Sequence, residues 1–222
     1  MLTDVKRARP HQRYRLRDGA EVPGVTTVLG VLNKPALVTW ANRMGLRGID
    51  TGRYVDELAT IGTLAHAIII HSLGGPEPDF ADHTANQRAL AENAVLSFTA
   101  WRRGREMETV LAEVPLVSER YAYGGTPDWY GLVDGRRVLL DFKTGKAIYD
   151  EHLYQVAAYR GLLVENWHGV DEVRVLQVGR DEGEGFSERV ILGSAIESYW
   201  RVFLAALRVR AAIAATRGGR DG

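Results

Sequence analysis

The hydrophobic period of this chain changes once near its middle, and this change constrains the fold more than any other feature. Apolar residues between about 36 and 104 recur every three or four positions, which is typical of helices with one buried face. From about 109 to 143 the pattern is instead that of successive strands, with Asp134-Gly135 as a tight hairpin turn. The order of the two patterns predicts an α/β fold with a central mixed sheet, flanking helices and extra N-terminal helices.

The individual elements follow from the same patterns. Residues 12–22 predict a short hairpin that turns at Asp18-Gly19, and a short helix follows Pro23. Helices are expected over 36–47, 56–73, 83–104, 150–165 and 193–216, and strands over 110–117, 121–133, 137–143, 172–179 and 186–191. We expect one domain over 1–222, with a mainly helical part (1–108), a sheet-and-helix part (109–192) and a C-terminal helix with a basic tail (193–222).

Composition excludes several classes of protein. The 222 residues are 45% hydrophobic and 25% charged, which is ordinary for a globular domain. The chain has no cysteine, and this excludes a disulfide framework, a cysteine nucleophile, an iron–sulfur cluster and a thiolate zinc site. Its apolar runs are far shorter than the ~20 residues that span a bilayer, so we expect a soluble, cytoplasmic protein with no membrane partner.

Charge is distributed unevenly along a chain whose formal net charge is zero. Residues 1–17 contain six Lys or Arg and one acid, and residues 201–222 contain five Arg and one acid, so the ends carry +5 and +4 and the middle −9. Basic ends around an acidic middle suit a protein that binds a polyanion and also gathers carboxylates for cations. The alternative is that both ends are simply solvated.

The strand over residues 138–143 places charges inside an apolar run. Side chains alternate across a sheet, so Asp141 and Lys143 share one face while Val138, Leu140 and Phe142 share the other. The Asp134-Gly135 turn folds the preceding strand back so that Asp128 approaches Asp141. Charges in such a strand are costly to bury unless they are paired or bind a metal. A surface ion pair between Asp141 and Lys143 is the alternative.

This group of residues suits the metal-dependent hydrolysis of phosphodiesters. Two carboxylates hold Mg²⁺ or Mn²⁺ beside a phosphate, and the metal stabilises charge and lowers the pKa of a bound water. Lys143 adds positive charge there, and it can deprotonate the water if its own pKa is lowered. The choice of lysine is notable because the chain contains 24 Arg and only four Lys.

Three further features lie around this strand. Gln155 and Tyr159 are four residues apart and therefore share one face of the next helix. His66 lies in an apolar helix, where a hydrogen-bonded core histidine is the usual alternative to a metal ligand. Gly124-Gly125 is interpreted as a pair of strand glycines that lets the substrate approach closely.

Taken together, these motifs resemble the PD-(D/E)XK nuclease superfamily, and specifically its RecB-like exonuclease branch of phages and bacteria. The resemblance spans about residues 14–180 and depends on four patterns: Gly62-x-x-x-His66, Gly125-Thr126-Pro127-Asp128, Asp141-Phe142-Lys143-Thr144-Gly145 and Gln155-x-x-x-Tyr159. It implies a restriction-endonuclease-like core. The subgroup with a four-cysteine iron–sulfur cluster is excluded because the chain has no cysteine.

The resemblance also implies roles for particular residues. His66, Asp128, Asp141 and the backbone carbonyl of Phe142 would be ligands of Mg²⁺ or Mn²⁺. Lys143 would be the catalytic lysine, and Gln155 and Tyr159 would orient the active-site strand or contact DNA. Glu113 is a further candidate, because such nucleases often carry a glutamate at its strand position. An exposed strand carboxylate is the alternative for Glu113.

The activity implied is that of a metal-dependent DNA exonuclease in phage or bacterial recombination or repair. The expected setting is the cytoplasm of a bacterium or of a phage-infected host, with DNA as substrate and a recombinase, helicase or single-strand-binding protein as partner. No ATPase phosphate-binding loop is present in the sequence. A structure-specific endonuclease or nickase remains an alternative, as does a non-catalytic DNA-binding subunit of a recombination complex.

Overall fold

A computed structural model describes residues 12–32 and 34–218 of the chain. The remainder of the basic ends, residues 1–11 and 219–222, lies outside the described residues. In chain order the elements are β1 (Tyr14–Arg15), β2 (Glu21–Val22), α1 (Val25–Leu29), α2 (Pro35–Leu46), α3 (Thr51–Ser72), α4 (Ala85–Arg102), β3 (Met107–Ala112), β4 (Leu116–Ser118), β5 (Tyr123–Gly125), β6 (Trp129–Val133), β7 (Arg136–Lys143), α5 (Asp150–Glu165), β8 (Glu172–Val178), β9 (Phe186–Ile191) and α6 (Ser194–Gly218).

The centre of the molecule is a mixed five-stranded sheet in the order β3-β6-β7-β8-β9. Only the β7–β8 pair is parallel, and α5 forms the crossover that a parallel connection requires. The other neighbouring strands are antiparallel. This arrangement confirms the expected α/β class with a central mixed sheet, flanking helices and additional N-terminal helices.

Helices cover both faces of the sheet, and the central strand β7 is therefore buried on both sides. On one face α3 and α4 pack through a cluster that includes Phe98, Trp101 and Phe142. On the other face α1, α5 and α6 pack around a cluster that includes Leu139 and Phe203. A central strand buried in this way leaves no solvent face for the polar side chains that alternate along it.

Two of the expected long strands are each broken into two. The strand expected over 110–117 ends at Ala112, because Glu113 adopts φ 51° and Pro115 follows, and a separate strand β4 begins at Leu116. The strand expected over 121–133 is interrupted at Pro127, which has no N–H to donate to a sheet. The pieces β4 and β5 form their own two-stranded sheet.

Helix boundaries follow capping residues more closely than hydrophobic periodicity. Helix α3 begins at Thr51 rather than at 56, because the Asp50 side chain accepts hydrogen bonds from the N–H groups of Gly52 and Arg53. Helix α4 begins after Thr84, which forms a reciprocal capping box with Gln87. None of the described helices combines the length and the apolar character needed to cross a bilayer.

Candidate functional site

The β6–β7 hairpin brings the two aspartates of the predicted site to neighbouring strand ends. Asp134 and Gly135 both have positive φ, 51° and 79°, as the tight turn requires. The resulting register pairs Trp129 with Leu140, so the residues just beyond that pair, Asp128 and Asp141, face each other at the end of the hairpin. The sequence pattern alone predicted this approach.

Asp128 is held as a charged carboxylate by groups from two other elements. Its Oδ2 accepts a hydrogen bond of 2.8 Å from the backbone N–H of Phe142 and lies 3.5 Å from Nδ1 of His66 on α3. Burial alone would raise the pKa of Asp128, but His66, Lys143 and the Phe142 N–H outweigh it and lower this pKa to about 2. Asp128 is therefore an anion across the physiological range.

Asp141 is more deeply buried than Asp128, and its carboxylate oxygens lack hydrogen bonds. Its side chain is 1% exposed, and Nζ of Lys143 lies 2.5 Å from its Oδ2. Neither carboxylate oxygen has a hydrogen-bond partner, so this contact is an ion pair in distance but not a hydrogen bond in angle. Burial raises the pKa of Asp141 to about 6; the nearby Asp128 adds to the rise and Lys143 opposes it.

Two carboxylates favour the charged form of Lys143. Burial lowers the pKa of Lys143, but Asp141 and Asp128 outweigh that effect, and the net shift is upward. The condition under which this lysine would deprotonate water, a lowered pKa, is therefore not met. The role of Lys143 as a base stays a prediction, and in this structure Lys143 places positive charge beside Asp141.

The cluster opens onto a cleft of about 920 Å³. His66, Asp128, Phe142 and Lys143 contribute to its wall, whereas Asp141 contacts Lys143 and is not part of that wall. Hydroxyl groups form much of the remaining lining, and they come from Tyr14, Thr26, Thr27, Thr63, Thr126, Thr144, Tyr149 and Tyr159. Because Asp128 and Glu113 share this wall, the cleft offers hydroxyl donors and one ammonium beside acidic groups.

Gln155 and Tyr159 lie on the cleft wall as one hydrogen-bonded pair. Nε2 of Gln155 donates to the hydroxyl oxygen of Tyr159 over 2.9 Å. Burial raises the pKa of Tyr159 well above its usual value, and Asp141 and Asp128 raise it further. This phenol therefore stays protonated beside the two carboxylates.

Helix α5 contributes another cleft residue that the sequence analysis missed, His152. It lies three residues before Gln155 and seven before Tyr159, and this i, i+3, i+7 spacing was the available signal. Nδ1 of His152 accepts a hydrogen bond from the Tyr149 N–H over 3.2 Å. Burial, together with the charges of Lys143 and Lys34, lowers the pKa of His152 to about 4.

Glu113 also lines the cleft, though not from a strand. Strand β3 ends at Ala112, and the backbone N–H of Glu113 donates to the carbonyl of Asp128 over 3.1 Å. Its positive φ turns the chain here, a conformation that non-glycine residues rarely adopt. Lys146, the other lysine of the 141–146 segment, is exposed and is not among the residues of the cleft wall.

Gly124 and Gly125 do not provide an approach for substrate, contrary to expectation. A Cβ on Gly124 would overlap the ring of Tyr14, and a Cβ on Gly125 would lie 2.7 Å from Cε1 of Tyr159. Both glycines therefore make room for tyrosine rings of this chain. The tyrosines, rather than the glycines, reach the cleft.

The donor set around Asp141 suits a hard divalent cation only in part. Oxygen donors are what Mg²⁺ and Mn²⁺ prefer, and the unpartnered buried oxygens of Asp141 are free to serve. Within residues 12–32 and 34–218, however, no three His, Asp or Glu side chains are grouped closely enough to hold a metal ion as they stand. The Lys143 ammonium instead sits against Asp141. The ligand roles of His66, Asp128, Asp141 and the Phe142 carbonyl remain predictions.

Comparison with known proteins gives weak similarities in structure alone. No protein-family model matches the chain, and no curated protein matches it in sequence. An alkaline exonuclease, LHK-Exo, from Laribacter hongkongensis is similar at 15% identity and a TM-score of 0.36, over 71% of this chain and 84% of that chain. The same enzyme in complex with dAMP gives 16% identity and a TM-score of 0.36, over 71% and 85%.

A third solved structure, of a protein titled SSO0001, is similar at 12% identity and a TM-score of 0.33, over 54% of this chain and 59% of that chain. These values are too low to assign a family. The function of this chain therefore has to be argued from its own residues.

Proposed function

We propose that this chain is a divalent-cation-dependent deoxyribonuclease that hydrolyses phosphodiester bonds as an exonuclease. The observation that carries the proposal is the state of Asp141, a fully buried carboxylate next to a cleft, whose one close partner is the Lys143 ammonium and whose oxygens are otherwise without hydrogen bonds. Buried polar groups of folded proteins are almost always hydrogen-bonded, so an exception points to a ligand that completes the site. Asp128, which faces Asp141, supplies a second carboxylate.

A purely structural ion pair explains this geometry less well. A buried acid–base pair gains stability only when further hydrogen bonds satisfy its remaining lone pairs, and Asp141 has none. Burial also disfavours the charged form of Asp141, as its raised pKa indicates. The arrangement is costly to the fold and is therefore better explained by function than by stability.

In the proposed hydrolysis the acidic and the basic residues of the site have different roles. Asp128 and Asp141 would hold Mg²⁺ or Mn²⁺ together with His66 and the Phe142 carbonyl. A bound divalent cation lowers the pKa of a water and stabilises charge on the scissile phosphate. The Lys143 ammonium would attract the phosphate and balance the charge that develops during attack. Gln155 donates to the Tyr159 hydroxyl, whose pKa the two carboxylates raise, and this pair would orient the active-site strand or contact DNA.

Cleavage of end-labelled linear DNA, single- and double-stranded, tests the proposal. We expect products only with Mg²⁺ or Mn²⁺ and none in chelator. Asp141→Asn and Lys143→Met should each lower the rate by about a hundredfold or more, because each removes a charged group from the transition state. Asp171→Asn, at the opposite end of the same sheet, is the matched control and should cleave at the wild-type rate. Normal cleavage by both cleft variants would refute the proposal.

The same assay on closed circular DNA separates the alternatives within the enzyme class. An exonuclease leaves closed circles intact, whereas an endonuclease or nickase opens them. A protein that binds DNA without cleaving it, and binds more tightly once Asp128 and Asp141 are neutralised, would instead be a non-catalytic subunit. A role in phage or bacterial recombination or repair, beside a recombinase, helicase or single-strand-binding protein, belongs to the proposal and follows from the sequence resemblance.

A further inference from the structure

The N-terminal hairpin β1–β2 is docked onto β5 beside the cleft. The backbone N–H of Gly124 donates to the carbonyl of Pro23 over 3.0 Å, and Gly24 forms a parallel bridge with Gly124. The ring of Tyr14, on β1, occupies the space above Gly124 that any larger residue would fill. The ring of Tyr14 can pack at this position because residue 124 has no side chain.

The hydroxyl of Tyr14 extends this docking towards the candidate site. It lies 3.0 Å from Oγ1 of Thr126, a residue 112 positions away in sequence. Thr126 precedes Asp128 by two residues, and the residue between them is Pro127, whose ring restricts φ. A displacement of Thr126 is therefore expected to displace Asp128 as well.

The segment that carries Asp128 needs such support, because it belongs to neither neighbouring strand. Strand β5 ends at Gly125 and β6 begins at Trp129. The carbonyl of Asp128 is held from the other side by the N–H of Glu113, over 3.1 Å. Tyr14 and Glu113 thus hold the two ends of the short connection 126–128.

We propose that Tyr14 is a positioning residue for Asp128: by binding Thr126 it fixes the carboxylate that accepts from the Phe142 N–H and faces the cleft. Tyr14 does not touch the reacting atoms in this role. The inference rests on the proposed function for its effect on cation affinity and cleavage. Its effect on the geometry of Asp128 is independent of that function.

The experiment compares Tyr14→Phe, Thr126→Val and their double variant, which lose the hydroxyl contact and keep the shapes of both side chains. Gly124→Ala places a methyl group where the ring of Tyr14 packs. Gly45→Ala, whose added Cβ would meet no atom within 4 Å in helix α2, is the matched control. The measurements are the Mn²⁺ concentration at half-saturation followed by protein fluorescence, the DNA cleavage rate, and hydrogen exchange of the Phe142 amide by NMR in the absence of cation.

We expect Tyr14→Phe and Thr126→Val each to raise the Mn²⁺ midpoint by about tenfold, as is typical for partners that orient a ligand. The double variant should equal either single variant, because both remove the same contact. The Phe142 amide, which binds Asp128, should exchange faster, while the Leu139 amide in the same strand should not change. Gly124→Ala should have the largest effect and Gly45→Ala none.

Two results would overturn the inference. One is an unchanged Mn²⁺ midpoint and unchanged Phe142 exchange in Tyr14→Phe and Thr126→Val. The other is a uniform acceleration of all β7 amides, which marks a general loss of stability. If Gly124→Ala does not fold, the two conservative variants still decide. A wild-type protein that binds no Mn²⁺ refutes the proposed function, and the Phe142 exchange then decides the inference alone.

Discussion

The two ends of strand β7 carry ion pairs of opposite character. At its start Arg137 holds Asp171 through its backbone N–H and its Nε, both at 3.0 Å, and through a terminal guanidinium nitrogen at 2.5 Å. At its end Lys143 contacts Asp141 at 2.5 Å, but the carboxylate has no hydrogen bond. One carboxylate is exposed and fully satisfied, and the other is buried and unsatisfied.

The pKa values of the two carboxyl groups differ accordingly. Hydrogen bonds from Arg137 lower the pKa of Asp171 to about 2, whereas burial raises that of Asp141 to about 6. The same residue type on one short stretch of sheet thus serves two purposes. The pair at the start of β7 lies at the surface, whereas the carboxylate at its end is buried next to the cleft.

The largest difference between the two ends of β7 is expected when the basic side chain of each ion pair is removed. Lys143→Met leaves a buried carboxylate without its partner, and we expect the free energy of unfolding at pH 7 to fall by about 3 to 5 kcal/mol. Arg137→Met leaves Asp171 exposed to water, and we expect no measurable change. Urea unfolding of both variants and of the wild type measures the difference. Equal losses at the two ends would contradict it.

A smaller effect is expected from adding a divalent cation. Mn²⁺ at about one hundred times its dissociation constant should raise the free energy of unfolding of the wild type by about 2.7 kcal/mol, since it binds the folded state. Asp141→Asn should abolish this gain, and Asp171→Asn should keep it. Thermal unfolding with and without Mn²⁺ provides the test, and a gain that survives in Asp141→Asn would place the cation elsewhere.

The smallest effect is a pH dependence that differs in sign between the two ends. The pKa of Asp141 is raised from 3.8 to about 6, so its contribution to stability is fully present below pH 3.8 and is lost as the pH rises through 6. Between pH 5 and 7 this loss amounts to about 1 kcal/mol. The contribution of Asp171, whose pKa is lowered, is instead present above 3.8 and lost as the pH falls towards 2.

Urea unfolding of the wild type and of Asp141→Asn at pH 5, 6 and 7 measures this dependence. The difference in unfolding free energy between the two proteins should decline as the pH rises. A difference that grows with pH would mean that the Asp141 carboxyl is held charged, like Asp171.

Sequence reasoning succeeded for the alternation along one strand, for the tight turn and for the limits of two elements. The alternation along 138–143 put Asp141 and Lys143 on one face, and the Asp134-Gly135 turn set the register that opposes Asp128 to Asp141. The limits of α5 and β9 also agree with the pattern, at 150–165 and 186–191. Each of these features depends on residues close together in the chain.

Sequence reasoning failed where contacts between distant segments determined the strand pairing or the surroundings of a side chain. The breaks at Glu113 and Pro127 divide two apparent strands, and the pieces on either side of each break pair with different partners. The pKa of Lys143 is raised because two carboxylates outweigh its burial, a balance that no local pattern could decide. The space at Gly124 belongs to Tyr14, which no local pattern indicated.

The sequence by itself therefore determined the order of helices and strands, the hairpin at Asp134-Gly135 and the choice of candidate residues. Periodicity and turn chemistry act over a few residues and need no knowledge of the rest of the chain. Only the tertiary structure decided that His66 lies 3.5 Å from Asp128 and that Asp141 is buried without a hydrogen bond. Burial and charge depend on which distant segments pack together, and these set the chemistry of a carboxylate.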